Sequence, residues 1–431
     1  LTSNEKRPIP VRARLLILAS AIAMLGWGTV LPYQYAYAAD TRGWGSLAAA
    51  AASSLFSVGA LLAAPLGGRL ADRRSPVAVA VGAKLLAAVG ALSLVVAGSP
   101  GAFLVGMFVF GAGITAASPA QTVLVLRWVG GGEDRRRVFA WQFTGQALGM
   151  AVGAFVAGFV VDLDQPHGMW PAFAAASAGF VLSGVLILVA GRGAPRPVDP
   201  LADEGSAAVA DRVPARLAVR LIWASPALRW TALVTVTLAL GFYAQFESGL
   251  PAYALTVLDV DELAIGVAAA VNCVVIIALQ MVVVRATARR GAPALLMVVG
   301  AIWTVSWLLL ALASTAPGLA TVLFVTTFAV FAVGETMYAP ILNPLTASLA
   351  PQGMVGTTLG VFTALQTGVS AVGPLVAGVI LGAGLGALFV GLHVGISLLA
   401  VLAAWRLRRT LRTGSAEPSE ATAPLDAALA A

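Results

Sequence analysis

The segment GGRLADRRSP, Gly67 to Pro76, packs four charges into the six residues from Arg69 to Arg74. Apolar runs long enough to cross a bilayer lie on both sides of it. A charged turn between two such walls reads as a loop at a membrane face. The rest of the composition agrees. The 431 residues are 59% hydrophobic and 10% charged, against about 25% charged in soluble domains. A water-soluble fold needs a polar exterior, so the solvent of this chain is lipid.

Hydropathy predicts twelve spans, at about 14–38, 46–69, 77–98, 102–127, 138–161, 171–190, 228–256, 262–285, 293–314, 318–346, 355–382 and 385–405. Each is near or above the roughly 20 residues that a spanning helix requires. The first is too long, and too rich in Trp and Tyr, for a cleaved signal peptide, and is expected to be a retained helix. Every second loop, starting from the N-terminus, collects basic residues: Lys6 to Arg14, Arg69 to Arg74, Arg127 to Arg137, the central linker, Arg285 to Arg290 and Arg406 to Arg412. The opposite side holds Arg42 with Asp40, Asp162, Asp164, Asp259, Asp261 and Glu262. The positive-inside rule then places both termini in the cytoplasm. The net charge of +7 describes orientation and contact with anionic headgroups, not a nucleic-acid partner. The one cysteine, Cys273, lies in an apolar span and reads as a small packing residue.

The alternation divides at GRGAPRPVDPLADEGSAAVADRVPARLAVRLIWASPA, Gly191 to Ala227. The expected organisation is a six-helix half over 1–190, a cytoplasmic linker over 191–227, a second half over 228–410 and a disordered tail over 411–431. Val209 to Trp223 mixes arginines with apolar residues and reads as a surface helix or as plain loop. An internal repeat supports the division. VGAFVAG at Val152 matches VGPLVAG at Val372, Pro119 matches Pro340, Leu31-Pro32 matches Leu250-Pro251, and Arg73-Arg74 matches Arg289-Arg290. The four pairs occur in order, at separations of 216 to 221 residues. Two parallel halves of this kind place a substrate site between them near the bilayer midplane.

The opening loop also carries a resemblance. Gly68, Leu70, Ala71, Asp72 and Arg73 resemble G-x-L-A-D-R-x-G, the signature loop of the major facilitator superfamily, with Ser75 in place of a glycine. GWGTVLP at Gly26, GQALGMAVGA at Gly145 and GETMYAPILNPLTASLAP at Gly334 resemble motifs of its bacterial twelve-helix drug:proton antiporters. The resemblance implies an all-α integral membrane protein with alternating access. Departures limit the transfer: Met150 replaces the fifth-helix proline, Ala154 its last glycine, Met107 a frequent fourth-helix arginine, and Ala288 the second-half aspartate. The resemblance further implies a gating latch of Gly68, Asp72 and Arg73. Asp72 would accept hydrogen bonds from a helix N-terminus near Gly353 to Gly356, and Arg73 would balance it or pair with Glu133 or Asp134.

Charged residues inside spans usually face protein or water. Glu335, midway along the tenth span, requires a partner, water or a proton; it reads as a proton-coupling or cation site, with a structural hydrogen bond as the bland alternative. Glu247, nearer the outer end of the seventh, reads as a second proton site, a recognition group for cations or a gate. Lys84 is expected to snorkel to the headgroups; pairing with a carboxylate or an anionic substrate is the lesser alternative. A substrate cavity would draw on Trp27, Tyr33, Gln34, Tyr37, Gln121, Gln142, Gln146, Tyr243, Gln245, Asn272, Tyr338, Asn343 and Gln366. Scattered amides in an apolar pocket suit amphiphilic compounds, although Tyr and Trp near helix ends also serve as interfacial anchors. Gly145, Gly149 and Gly153, with Gly373 and Pro374 as counterparts, allow close helix packing.

The only lysines, Lys6 and Lys84, follow no glycine, so no P-loop is present. H-E-x-x-H and C-x-x-C are absent as well, and no enzymatic activity, cofactor or metal is expected. The expectation is a secondary transporter of a bacterial cytoplasmic membrane, acting as a monomer and exporting small amphiphilic molecules, drugs or secondary metabolites, in exchange for protons. Proton-coupled nutrient uptake and a lipid-handling or non-transporting role are the alternatives. Its partners would be the small-molecule substrate, protons and membrane lipids.

Overall fold

A computed structural model describes residues 9–34, 37–192, 214–246, 249–260 and 262–414. Among these residues the chain is helical, without strands. Twelve helices are long and apolar enough to cross a membrane, and the chain is a multi-pass membrane protein. The first half holds α1 (Val11–Val30), α2 (Gly45–Arg73), α3 (Pro76–Val95), α4 (Pro100–Trp128), α5 (Gly132–Val160) and α6 (Trp170–Gly191). The second holds α7 (Pro226–Phe246), α8 (Glu262–Thr287), α9 (Ala292–Thr315), α10 (Ala320–Ser348), α11 (Val355–Gly382) and α12 (Gly386–Gly414).

Local chemistry starts these helices. Pro76, Pro100 and Pro226 occupy first-turn positions where a missing N–H costs nothing. Ser99 and Ser225 cap the latter two, accepting from Ala102 N and Leu228 N at 3.3 and 3.4 Å. Small residues then let backbones approach. A Cβ at Gly149 or Gly153 of α5 would run into the backbone of α1 at Ala21 or Leu25, and one at Gly373 of α11 into Ala244 of α7. The glycine motif therefore packs α5 on α1 and α11 on α7, within each half. Large apolar residues such as Phe155, Phe159 and Val379 face outward, as a lipid-solvated surface requires.

Two spans differ from the hydropathy reading. The first does not run unbroken to residue 38: α1 ends at Val30, and a turn leads to a short π-helix, Tyr37–Thr41. Pro32 lacks the N–H that would continue the ladder. The seventh contains a π-turn, Ala239–Tyr243. There the indole Nε1 of Trp307 donates to Gly241 O at 2.8 Å, taking a carbonyl from the helical ladder. In the linker, a helix spans Ala215–Ala224. The remaining linker residues 193–213 and the tail from 415 lie outside the described residues.

The halves meet along α2 and α11. A Cβ at Gly68 would clash with Gly356 and Gly360, and one at Gly360 with Ala64 and Pro65. Further toward the middle of α2, Leu61 reaches within 3.5 Å of where a Cβ on Gly368 would stand. This crossing joins the halves at the basic end of the molecule.

Candidate functional site

Between the halves lies a cavity of about 380 Å³, within the range of small-molecule sites. The first half contributes Ser20 and Met24 from α1, Lys84 from α3, Ile114, Thr115, Ser118, Gln121 and Thr122 from α4, and Phe139, Gln142, Phe143 and Gln146 from α5. The second contributes Tyr243 from α7, Tyr338, Ala339, Leu342 and Asn343 from α10, and Thr363 and Gln366 from α11. The wall mixes amides and hydroxyls with aromatic and aliphatic surface. Gln142 is oriented by its own neighbour, donating from Nε2 to Ser20 Oγ at 2.8 Å.

Glu335 sits behind the second-half wall at 5% exposure. Asn272 Nδ2 of α8 donates to its Oε2 at 3.3 Å, and the Tyr243 hydroxyl donates to its carboxylate. Asn272 also donates to Phe328 O at 3.3 Å, which fixes it between α8 and α10. The carboxylate is thus one residue removed from the cavity, with Tyr243 touching both. An aromatic cluster holds this arrangement. Tyr243 and Tyr338 lie 5.6 Å apart by ring centroid, and Trp303 packs 5.8 Å from Tyr338. Gly334 permits the approach of Trp303, since a Cβ there would strike the indole.

The structure divides the cavity candidates. Gln121, Gln142, Gln146, Tyr243, Tyr338, Asn343 and Gln366 line it. Trp27 instead stacks on Phe56 at 4.5 Å and 7° and packs edge-on to Phe110, inside the first-half core. Tyr33, Gln34 and Tyr37 follow the end of α1. Tyr37 is fully buried and donates to Pro166 O at 2.9 Å. Tyr33 packs against the first-half aromatic core. Gln34 is buried outside the cavity lining. Gln245 ties α7 to α11 by donating to Gly373 O at 3.3 Å, and Asn272 serves Glu335. Glu247 lies outside the described residues.

Lys84 is the main correction. Its side chain does not reach for a headgroup layer. It is 5% exposed, lines the cavity and places Nζ 5.5 Å from the centroid of the Phe180 ring. Its distance from the nearer helix end made snorkelling plausible by length, but α3 turns this face toward the other helices. Ser20, Thr115, Ser118, Thr122 and Thr363 also line the cavity. As hydroxyl residues common in any span, they gave no sequence signal.

At the basic end, Asp72 meets the start of α11. Gly356 N donates to Oδ1 at 2.5 Å, while Thr357 N and Thr357 Oγ1 both donate to Oδ2 at 2.6 Å. Two free N–H groups and a hydroxyl at a positive helix end suit a carboxylate. A second cross-half contact lies at the same end: Arg136 Nη1, in the first turns of α5, donates to Ala288 O and Arg290 O, each at 3.2 Å. That partnership had no sequence signature, because its acceptors are backbone carbonyls.

Residues 16–374 match the family described as the Major Facilitator Superfamily. No curated protein matches the chain. Among solved structures, the human organic anion transporter MFSD10 (TETRAN) superposes with a TM-score of 0.68 at 18% identity, over 92% of this chain and 100% of its own. A bacterial homologue of the iron transporter ferroportin, in an outward-facing state, gives 0.69 at 16% identity, over 93% and 100%. At these identities the likeness carries the fold.

Proposed function

The chain belongs to the Major Facilitator Superfamily, and from that premise we propose a proton-coupled exporter of small amphiphilic molecules, working by alternating access. The membership and the twelve spans support a secondary transporter; the finer reading rests on the site. The observation that carries it is Glu335: a carboxylate buried at mid-span, hydrogen-bonded by Tyr243 and Asn272, with Tyr243 also forming cavity wall. A group held there can exchange a proton as the wall moves, and a substrate pressing on Tyr243 alters a hydrogen bond to the carboxylate. The basic end would be cytoplasmic, as the positive-inside rule requires, in a bacterial cytoplasmic membrane.

Alternating access needs a cavity whose two ends close in turn. The Asp72 contact with α11 and the Gly68–Gly356 crossing support a latch on the basic end. Its release would admit substrate from that side. In everted vesicles, an exporter of this kind accumulates substrate when the lumen is acid. Accumulation driven only by the opposite gradient would indicate uptake and overturn the proposed direction.

A further inference from the structure

Among the described residues that line the cavity, Lys84 is a cation with no acid beside it in the lining. Among the described residues, the Lys84 ammonium meets the face of Phe180. Glu335, behind the opposite wall, is already engaged by Tyr243 and Asn272. A buried charge is costly unless paired or hydrogen-bonded, and an ionisable residue inside a membrane span marks a functional site by default. Two further donors on lining residues are unspent. The Gln121 amide nitrogen and the Tyr338 hydroxyl are buried, line the cavity and have no hydrogen-bond partner. The wall thus carries one positive charge and two unpartnered donors within its residues, and a negatively charged acceptor that draws these side chains toward it would satisfy them. Met24, Phe143 and Leu342 supply apolar surface alongside.

We propose that Lys84 and Gln121 form a subsite for the anionic group of an amphiphilic substrate, of which a carboxylate is the simplest form. Lys84 Nζ provides the charge, Gln121 on the adjacent α4 provides a directed donor, and the apolar body rests against Met24 and Phe143. Tyr338 closes on the group from the second half. This deepens the export reading and rests on the cavity being the transport site. The same anionic chemistry could arrive on a lipid headgroup, which the test separates.

The protein in nanodiscs of phosphatidylcholine is titrated, with no gradient, with three matched probes: 1-naphthaleneacetate, 1-naphthaleneacetamide and 1-naphthylethylammonium. The acetate is expected to bind about tenfold more tightly than the amide, from charge-assisted hydrogen bonding, and the ammonium more weakly than either. Lys84→Met, checked by monodisperse elution and an unchanged melting temperature, lowers acetate affinity to that of the amide and leaves amide affinity unmoved. Lys84→Arg keeps most of the preference. If Lys84→Met does not fold, Gln121→Leu carries the test, with about a threefold loss for the acetate alone. An acetate preference untouched by these variants, equal binding of all three probes, or no saturable acetate binding overturns the subsite. Loss of acetate binding when phosphatidylglycerol is added to the discs overturns it as a solute site. Glu335→Gln keeps the acetate preference in this assay. Failure of proton coupling therefore appears only in flux, and failure of the subsite appears here.

Discussion

The two halves share one architecture and use it for opposite chemistry. Counted from the matched prolines Pro119 and Pro340, the position of Glu335 in the second half is Ile114 in the first. Counted from the matched arginines Arg73 and Arg289, the position of Lys84 is Gly300. Ile114 lines the cavity as plain apolar wall. Gly300 is packed against α12, where a Cβ would strike Val401. So both halves present amides, but the first adds a cation and the second adds tyrosines backed by an acid. The basic-end loops show the same divergence. Asp72 between α2 and α3 accepts from the start of α11, whereas Ala288, its second-half counterpart, offers only a backbone carbonyl to Arg136 at the start of α5. A repeat fixes where a contact can form; the residue placed there decides what it does.

That contrast can be broken by steric means first. Gly68→Val inserts atoms where Gly356 and Gly360 already stand. Overpacking of this kind costs about 1–3 kcal/mol or more, all of it in the state closed at the basic end. Transport is expected to fall to background, and spin-label distances across that end to lengthen in a folded protein. Unchanged distances would remove the crossing from the gate.

Asp72→Asn keeps the shape and removes the charge. The three donors then face a neutral amide, at a cost of about 1–3 kcal/mol for charged hydrogen bonds. The distance distribution should shift toward the open form, less completely than in Gly68→Val. Arg136→Ala tests the weaker counterpart. Its two bonds go to carbonyls from a half-exposed side chain, so about 0.5 kcal/mol is expected, with a detectable but small shift. If Arg136→Ala opened the end more than Asp72→Asn, the ranking of the two loops would be reversed. Cleavage of the linker between Pro195 and Ser206 should have the smallest effect of all, leaving the halves associated and transport intact in a reconstituted flux assay.

Much of this was legible in the sequence because membrane physics writes it in composition. Span count follows from apolar run length, and the basic end from arginines at every second loop. The repeat supported the division into two parallel halves. What could not be read was the rotation of each helix about its axis. Lys84 lies mid-helix and Trp27 in the last turn of α1, both among apolar residues. Only packing shows that Lys84 faces the cavity while Trp27 stacks on Phe56 in the first-half core. Backbone partners were equally hidden: Ala288 O carries no identity that a sequence could reveal, and the π-turn at Ala239–Tyr243 accepts a hydrogen bond from an indole sixty-six positions away.

The central claim is that Glu335 carries the coupling proton, and simultaneous proton and substrate flux in proteoliposomes tests it most directly. The substrate is one identified by counterflow with the wild-type protein. Glu335→Gln mimics the protonated carboxyl with the same shape and should abolish concentrative, pH-driven transport and the associated proton movement, while downhill exchange continues. Glu335→Asp should retain part of both, since the charge remains but is withdrawn by one methylene. If Glu335→Gln still concentrates substrate with a normal proton-to-substrate ratio, the coupling assignment is wrong.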